Sequence, residues 1–251
     1  MWRYALRDDQ WVRIEGLLPG RVGHVGMTAR DNRLFVEAVL HRYRAGIPWR
    51  DLPDRFGSWK AVHTRCGRWA KGGVWERVLR HLASDADTEY AMLDSTVVRA
   101  HQHSAGARKG SGAQAIGRSK GGLGTKIHAL VDALGNPLGF ALTGGQAHDL
   151  AGADALLPDM EAEALIADRA FDADARVLEP LAAAGKAAII PPRQRRRQKR
   201  DYDRHLYKAR HLIENAFAKL KEFRAVATRF DKTDTSYAAT IHLAAAIIAS
   251  R

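Results

Sequence analysis

A change of hydrophobic period near residue 86 is the feature that most constrains the fold. Before it, apolar residues recur at helical spacing; after it, they alternate as in strands. Strands are predicted at residues 91–100, 125–133, 138–142, 164–167 and 187–190, and helices at 150–160, 172–184 and 205–223. Three strands, then helix, strand, helix, strand and a last helix is the element order of a ribonuclease-H-like α/β domain. We therefore predict a mixed five-stranded sheet with flanking helices over residues 86–251, preceded by an all-α domain over residues 1–85.

The predicted helical domain contains a pattern similar to a helix-turn-helix. Asp31 precedes one amphipathic helix, and Ser58 is predicted to cap a second one. The second helix turns Trp59, Val62, Cys66 and Trp69 inward and leaves outside a basic face of Lys60, His63, Thr64, Arg65 and Arg68. Such a face either contacts DNA, with Lys60, Arg65 and Arg68 as the binding cations, or is merely solvated.

The charge of the chain predicts a polyanionic partner. The formal net charge is +12, and it is unevenly spread. Residues 1–80 carry 16 Lys and Arg against 8 Asp and Glu, residues 81–190 carry 9 against 14, and residues 191–251 carry 15 against 6. Basic flanks around an acidic centre fit a DNA-binding protein whose centre collects cations. The run 193–200, which includes Arg195, Arg196 and Arg197, is predicted to be a disordered or phosphate-contacting loop.

Several classes are disfavoured by composition. The chain has no run of 18 apolar residues and no signal-peptide pattern, so we expect a cytoplasmic protein without a membrane partner. Its single cysteine, Cys66, excludes a disulfide and a cysteine-based zinc site. The glycines of residues 105–124 lack phosphate-loop spacing, so we expect no nucleotide cofactor.

Three carboxylates stand where the predicted fold brings elements together. Asp94 lies inside the first strand, Asp168 ends the fourth, and Glu214 lies on the last predicted helix. Acids gathered in this way repel one another, and a divalent cation relieves that repulsion. Oxygen ligands suit Mg²⁺ or Mn²⁺, and two ions are expected for reaction at phosphorus. Alternatively, Glu214 and Arg210, four residues apart, are an ordinary surface ion pair.

Two histidine patterns offer other chemistry. His101 and His103 alternate beyond the first strand and could bind a metal, although a structural or DNA-contacting role is favoured. The pair His148-Asp149 could serve a hydrolase, but no nucleophilic Ser or Cys motif accompanies it.

The sequence resembles a DDE transposase of the insertion-sequence-five group. Tyr207, Arg210, Glu214 and Lys221 reproduce the spacing of the Y-R-E-K signature of that group. Similar segments are DSTVVRAHQHSAGA (94–107), GRSKGGLGTKIHALVDALGNPL (117–138), LIADRAFDAD (165–174), FRAVATRFDK (223–232), GIPWRDLPDRFGSW (46–59) and VWERVL (74–79). A departure is Ala170-Phe171, where relatives commonly have Gly-Tyr.

The resemblance implies a function and roles for residues. Asp94, Asp168 and Glu214 would be the catalytic triad, and Tyr207, Arg210 and Lys221 would contact DNA phosphates beside the scissile bond. The enzyme would bind the terminal inverted repeats of its element, cleave there and join the ends to double-stranded target DNA, as a homodimer or higher oligomer. The alternatives are a nuclease of the same fold that does not join strands, and a non-catalytic DNA-binding relative.

Overall fold

The structure is a computed structural model that describes residues 5–23, 25–105 and 114–250. The helices are α1 (Asp8–Glu15), α2 (Asn32–Ala45), α3 (Trp59–Lys71), α4 (Val74–Leu82), α5 (Leu150–Leu156), α6 (Glu179–Ala183), α7 (His211–Lys221), α8 (Arg224–Ala227) and α9 (Asp234–Ala249). The strands are β1 (Ala91–Ala100), β2 (Gly117–Ser119), β3 (Gly122–Val131), β4 (Pro137–Gly144), β5 (Ala164–Ala167), β6 (Ala187–Ile189) and β7 (Thr228–Arg229). Within these described ranges, no helix has the length and apolar character needed to cross a membrane.

The sheet is mixed, with β1 at its centre. β1 pairs antiparallel with β3 and parallel with β5, and β5 pairs parallel with β6. β4 pairs with β3 on the far side from β1, which gives the order β4-β3-β1-β5-β6. The two short strands β2 and β7 pair with β3 and with the end of β1. The fold is therefore the ribonuclease-H-like α/β architecture that the element order predicts.

Some element boundaries differ from prediction. β1 and β5 have the predicted bounds, but β2 and β7 were not predicted, because two or three residues carry no readable period. The helix predicted at 172–184 is replaced by a π-helical turn, Asp174–Leu178, and the short α6. The helix predicted at 205–223 begins as a 3₁₀ segment, Leu206–Arg210, before α7.

Alternation along β1 divides its side chains between two layers. Met92 and Val98 belong to a core shared with the N-terminal helices, α7 and α9. Ala91 and Leu93 belong to a second core, which α5 and the segment before β6 cover. Because successive side chains of a strand point to opposite faces, Asp94 shares the face of Met92, whereas Ser95 faces the α5 layer.

The helical region contains the two helices of the predicted helix-turn-helix-like pattern, α2 and α3. The side chain of Asp31 accepts a hydrogen bond from the backbone N–H of Leu34 at 2.8 Å, which caps α2. Ser58 precedes α3, but the prediction that it caps this helix through its side chain is wrong, because the side chain makes no capping bond. The connection over residues 46–58 contains two 3₁₀ turns and is longer than the three or four residues of an ordinary helix-turn-helix.

The helical region and the sheet domain share one hydrophobic core. Residues of α1 to α4 belong to the same buried cluster as those of α9. Gln10 of α1 donates to the backbone oxygen of Ile247 at 3.1 Å and to Ser250 Oγ at 3.2 Å. Gly46, which ends α2 with φ of 69°, lies against Arg224 of α8 so closely that an added Cβ would meet that side chain at 2.8 Å. The division at residues 85 and 86 stays a prediction.

Candidate active site

Asp94 lies in the middle of β1 with 18% of its side chain exposed. Its carboxylate accepts a hydrogen bond from the backbone N–H of Ser95 at 2.7 Å. Burial raises the pKa of Asp94 above its usual value, and the charges of Asp168 and Asp149 add to this effect. The Ser95 bond and the positive charge of Arg210 act in the opposite direction. The strand thus holds an acid whose ionised form lacks full compensation.

Asp168 lies beside Asp94 because β1 and β5 are parallel neighbours. Met92 pairs with Ile166 and Leu93 with Ala167, so one further step of the register sets Asp94 opposite Asp168. Adjacent strands lie roughly 4.8 Å apart. Asp168 caps the following 3₁₀ turn by accepting from the N–H of Ala170 at 2.7 Å, which fixes its orientation.

Arg210 joins the third carboxylate to this pair. Its Nη2 lies 3.2 Å from Asp94 Oδ2, and its Nη1 donates to Glu214 Oε1 at 2.7 Å. The Glu214 side chain, in the first turn of α7, is 61% exposed. The guanidinium therefore lies between Asp94 and Glu214, and the i,i+4 pair predicted as the alternative is present as part of this larger arrangement.

Tyr207 and Lys221 flank the carboxylates. Tyr207 is half-buried, and burial raises the pKa of its hydroxyl, with the charge of nearby Asp168 adding to the rise and that of Arg210 opposing it. Lys221, in the last turn of α7, donates to Thr96 Oγ1 at 2.6 Å. Since Thr96 follows Asp94 by two residues on the same face of β1, the Lys221 ammonium lies on the carboxylate side of the sheet.

A metal site is not already assembled by these acids. Within the described ranges, no three His, Cys, Asp or Glu side chains are grouped closely enough to hold an ion. The donor chemistry nevertheless fits a hard divalent cation, because all three predicted ligands are carboxylates. The guanidinium between Asp94 and Glu214 lies where such a cation would balance the same charges.

A fourth carboxylate, Asp149, lies on the other side of β1 and was not predicted to belong to this site. It accepts a hydrogen bond from Ser95 Oγ and pairs with Lys126 Nζ at 2.9 Å. Burial favours a higher pKa for Asp149, but the bonds from Ser95 and Lys126 outweigh it and lower the pKa. The signal in the sequence that could have indicated Asp149 is its position between β4 and α5, where the chain turns back towards β1.

The predicted phosphate-contacting arginines of the run 193–200 differ from one another. Arg195 and Arg197 are exposed, as that prediction requires. Arg196 instead pairs with Asp172 and Asp174, two carboxylates beyond Asp168. Arg196 is thus already paired with carboxylates that the fold brings near, and its contact with phosphate stays a prediction.

The predicted basic face of α3 is also altered in one position. Lys60 and Arg68 are exposed, as predicted. Arg65 is only partly exposed: its guanidinium lies 4.2 Å from the Phe35 ring centre and 4.7 Å from that of Trp69, and it donates to Asn32. Burial lowers the pKa of Arg65. The prediction of an outward Arg65 is therefore wrong, because the aromatic surface of α2 and α3 attracts the cation.

The histidine patterns find local partners. The rings of His101 and His103 are 4.5 Å apart, and His101 also lies against Phe230 at 4.8 Å. His148 Nδ1 accepts from the backbone N–H of Leu150 at 3.2 Å, whereas its neighbour Asp149 bonds to Ser95 and Lys126. His101 and His103 thus contact aromatic rings, and His148 and Asp149 bond to different partners, which leaves the carboxylate cluster as the candidate active site.

Comparison with protein families agrees with this geometry. The model described as "Transposase DDE domain" matches residues 86–249, which is more than half of the chain. The chain belongs to the DDE transposase family. Residues 6–79 of this transposase match a second model, described as "Putative transposase of IS4/5 family", which confirms the resemblance to the insertion-sequence-five group.

Two relatives resemble parts of the transposase. One, "Uncharacterized protein y4sN" of Sinorhizobium fredii, is 50% identical over 108 residues, 43% of this chain and 86% of the relative. The other, "Putative transposase for insertion sequence element IS6501" of Brucella ovis, is 40% identical over 128 residues, 49% of this chain and 96% of the relative.

Among solved structures, a Mos1 transposase paired-end complex with the left transposon end matches 80% of this chain and 81% of its own, at 12% identity. The TM-score of 0.25 is too low to relate individual residues of the two proteins. Membership of the DDE family itself implies that the transposase acts on DNA and uses divalent metal ions.

Proposed function

We propose that this transposase cleaves the ends of its own insertion sequence and joins the freed 3′-hydroxyls to target DNA by transesterification. Asp94, Asp168 and Glu214 are the catalytic carboxylates of both steps. The observation that carries the proposal is the parallel register of β1 and β5, which sets Asp94 beside Asp168 at the edge where Arg210 links Asp94 to Glu214.

The charge balance of the site supports metal binding by these residues. Asp94 is largely buried, its pKa is raised by that burial and then by two neighbouring carboxylates, and Arg210 supplies only partial compensation. A ligand set made of carboxylate oxygens suits Mg²⁺ or Mn²⁺. When bound, two such ions supply activation of the attacking oxygen and stabilisation of the leaving oxygen at phosphorus.

The protein's own groups have distinct tasks around these ligands. Asp94 and Asp168 are held rigidly, one by its strand and one by its hydrogen bond to Ala170. Glu214 is exposed on α7 and closes the ligand set from the helix side. Because Asp94 and Asp168 are fixed and Glu214 is exposed, the ligand set can be completed when DNA binds.

Arg210 has two partners in succession under this proposal. In the free protein its guanidinium neutralises Asp94 and Glu214. A cation held by those carboxylates would balance their charge in its place, and the donors of Arg210 would then be free for a DNA phosphate, for which a planar guanidinium is well suited. Tyr207 and Lys221, on either side, contact the phosphates beside the scissile bond.

The helical region, residues 1–85, recognises the terminal inverted repeats. The exposed Lys60 and Arg68 on α3 support this assignment, and the excess of basic residues in the region adds non-specific attraction to DNA. Because two ends must be joined to one target, we propose that a homodimer or a higher oligomer assembles on paired ends.

The proposal is tested with purified protein and short duplexes that end in the element's repeats. Wild type is expected to cleave them in Mg²⁺ and to insert the ends into a plasmid. Asp94→Asn and Asp168→Asn should lose both activities yet keep repeat binding. Cleavage without strand transfer would identify a nuclease of the same fold. Repeat binding without cleavage in either Mg²⁺ or Mn²⁺ would identify a non-catalytic relative.

A further inference from the structure

Asp172 is a buried acid four residues beyond Asp168. Its side chain is 0% exposed, and its oxygens accept from the backbone N–H of Arg193 at 2.7 Å. They also accept from Arg196 Nη1 and Arg200 Nη2, each at 2.9 Å. A carboxylate this deeply buried is costly without such partners. The basic run 193–200 therefore supplies the charges that allow Asp172 to be buried.

The same run holds the loop between Asp168 and Asp172 along its backbone. The Arg193 side chain donates to the carbonyl oxygens of Arg169 at 3.4 Å and Ala170 at 2.9 Å. Phe171, the next residue, is fully buried in the second core. The loop that starts at Asp168 is thus fixed by its own cap, by a buried ring and by arginines from the distant run.

The four arginines that follow Arg193 in the run fall into two groups by exposure. Arg196 and Arg200 are partly buried and face Asp172, whereas Arg195 and Arg197 are exposed. Neutralising DNA phosphate requires only exposed cations, so that role does not explain why Arg196 and Arg200 are partly buried. Within one short segment, two arginines are committed to a carboxylate and two face solvent.

We propose that Asp172, Arg196 and Arg200 form a brace that positions Asp168, so that Asp172 is a positioning residue for the reaction. The phosphate-contacting role belongs to Arg195 and Arg197. The brace holds the loop in the free protein and keeps Asp168 in register with Asp94. This inference rests on the proposed function in that it takes Asp168 to be a catalytic carboxylate.

Two double variants of the full-length protein with equal loss of charge test the brace. Arg196→Gln with Arg200→Gln removes the charged contacts to Asp172. Arg195→Gln with Arg197→Gln removes the same charge from the exposed positions. Amide hydrogen exchange without DNA or metal reports on the loop through the N–H groups of Ala170 and Phe171, which donate to the Asp168 side chain and backbone.

In the Arg196 and Arg200 variant we expect the two loop amides to exchange roughly tenfold faster, since local opening sets their protection. At saturating DNA the cleavage rate should fall by a similar factor, while repeat affinity falls no more than in the matched variant. The Arg195 and Arg197 variant should keep loop exchange, but flatten the slope of log affinity against log salt by about 0.9 per lost phosphate contact.

Equal exchange rates in the two variants would overturn the brace, as would a wild-type saturated cleavage rate in the Arg196 and Arg200 variant. Arg200→Lys combined with Arg196→Lys should recover part of the protection, because ammonium groups restore the charge without the planar fork. Asp168→Asn separates the two claims. If that variant still cleaves, the proposed function fails; if it does not cleave and the double variants behave alike, only the brace fails.

Discussion

Arg210 Nη2 lies 3.2 Å from Asp94 Oδ2, which places an internal cation against a carboxylate at the centre of the sheet. The same guanidinium reaches Glu214 of α7 at 2.7 Å. Three elements, β1, the 3₁₀ segment before α7, and α7 itself, are joined by one side chain. If these carboxylates bind metal, Arg210 competes with the ion, and its removal has opposite effects on binding and on cleavage.

The first prediction concerns Glu214→Gln, which keeps the shape of the side chain and removes its charge. Cleavage of repeat ends should fall by orders of magnitude while repeat binding persists, because a metal ligand is lost. Without metal, the free energy of unfolding should fall by only a few tenths of a kcal/mol, the usual value of an exposed i,i+4 pair, and the stability gained on adding Mn²⁺ should be smaller than in wild type.

Glu222→Gln is the matched control for Glu214→Gln, since Glu222 is an exposed acid just beyond α7. It should leave both cleavage and the Mn²⁺ response intact. If Glu214 is only a surface partner of Arg210, its substitution costs a few tenths of a kcal/mol. Near wild-type cleavage by Glu214→Gln would remove it from the triad.

The second prediction concerns Arg210→Gln and Lys221→Gln. Both should reduce cleavage, because each removes a proposed phosphate contact. Only Arg210→Gln should lower the Mn²⁺ concentration at which half of the metal-induced rise in melting temperature is reached. Of the two side chains, Arg210 contacts the carboxylates, whereas Lys221 contacts Thr96. A thermal-shift titration without DNA measures this. An Arg210→Gln midpoint equal to that of Lys221→Gln would show that Arg210 does not compete with the ion.

The third prediction separates packing from DNA recognition on α3. Arg65→Ala should lower the free energy of unfolding by about 1 kcal/mol, because the guanidinium covers the Phe35 and Trp69 rings. Arg68→Ala should leave stability within error and weaken repeat binding more than binding to random DNA. Urea unfolding and gel-shift titrations give the two quantities. Equal weakening on both DNAs would limit Arg68 to backbone contact.

The fourth prediction concerns the pH dependence that Asp172 confers. Burial favours a higher pKa for its carboxyl, but the bonds from Arg193 and Arg200 and the charges of Arg196 and Arg200 outweigh it and lower the pKa. A lowered pKa in the folded state stabilises the protein above the unfolded value, near 3.9, and this contribution is lost as the pH falls through the folded value.

Asp172→Asn should therefore be less stable than wild type at pH 7, and the difference should shrink as the pH falls below about 4. Chemical unfolding at several pH values measures it. Asp159→Asn, which changes an exposed acid outside the Asp172 contacts, should show no comparable loss at pH 7. A constant gap between wild type and Asp172→Asn at all pH values would assign the effect to shape instead of charge.

The strands that carry Asp94 and Asp168 could be predicted from sequence because their signal is local. β5 is four apolar residues ending at an acid, and β1 is an apolar run interrupted by one. Their parallel pairing follows from the element order. The approach of these two carboxylates was therefore predictable, even though the residues are far apart in the chain.

The contacts of Arg65, Arg196 and Asp149 were not predictable, because each depends on a partner supplied by tertiary structure. A helical wheel places Arg65 outside, but the rings of Phe35 and Trp69 extend far enough to hold it. Asp172, the partner of Arg196, precedes it by 24 residues, and the chain forms α6 and β6 between the two. Charge runs indicate that cations are present and give no information on which of them are already paired.

The 3₁₀ start before α7 has a local cause that the hydrophobic period does not reveal. The Asp203 side chain accepts from the N–H groups of His205 and Leu206 at 2.7 and 2.8 Å, which begins the tighter turn early. A single helix over residues 205–223 would carry Tyr207 and Glu214 on one face, because they are seven residues apart. In the structure they belong to segments of different pitch, and Arg210 lies at the junction.

The core shared by α1 to α4 and α9 has a consequence for synthesis on the ribosome. The helical region is translated first, but the helix that completes its core is translated last. Contacts between such distant segments form only when both are available. A nascent chain interrupted before Asp234 thus leaves the apolar surface of the helical region uncovered. Only translation through α9 completes the core that the helical region shares with the sheet domain.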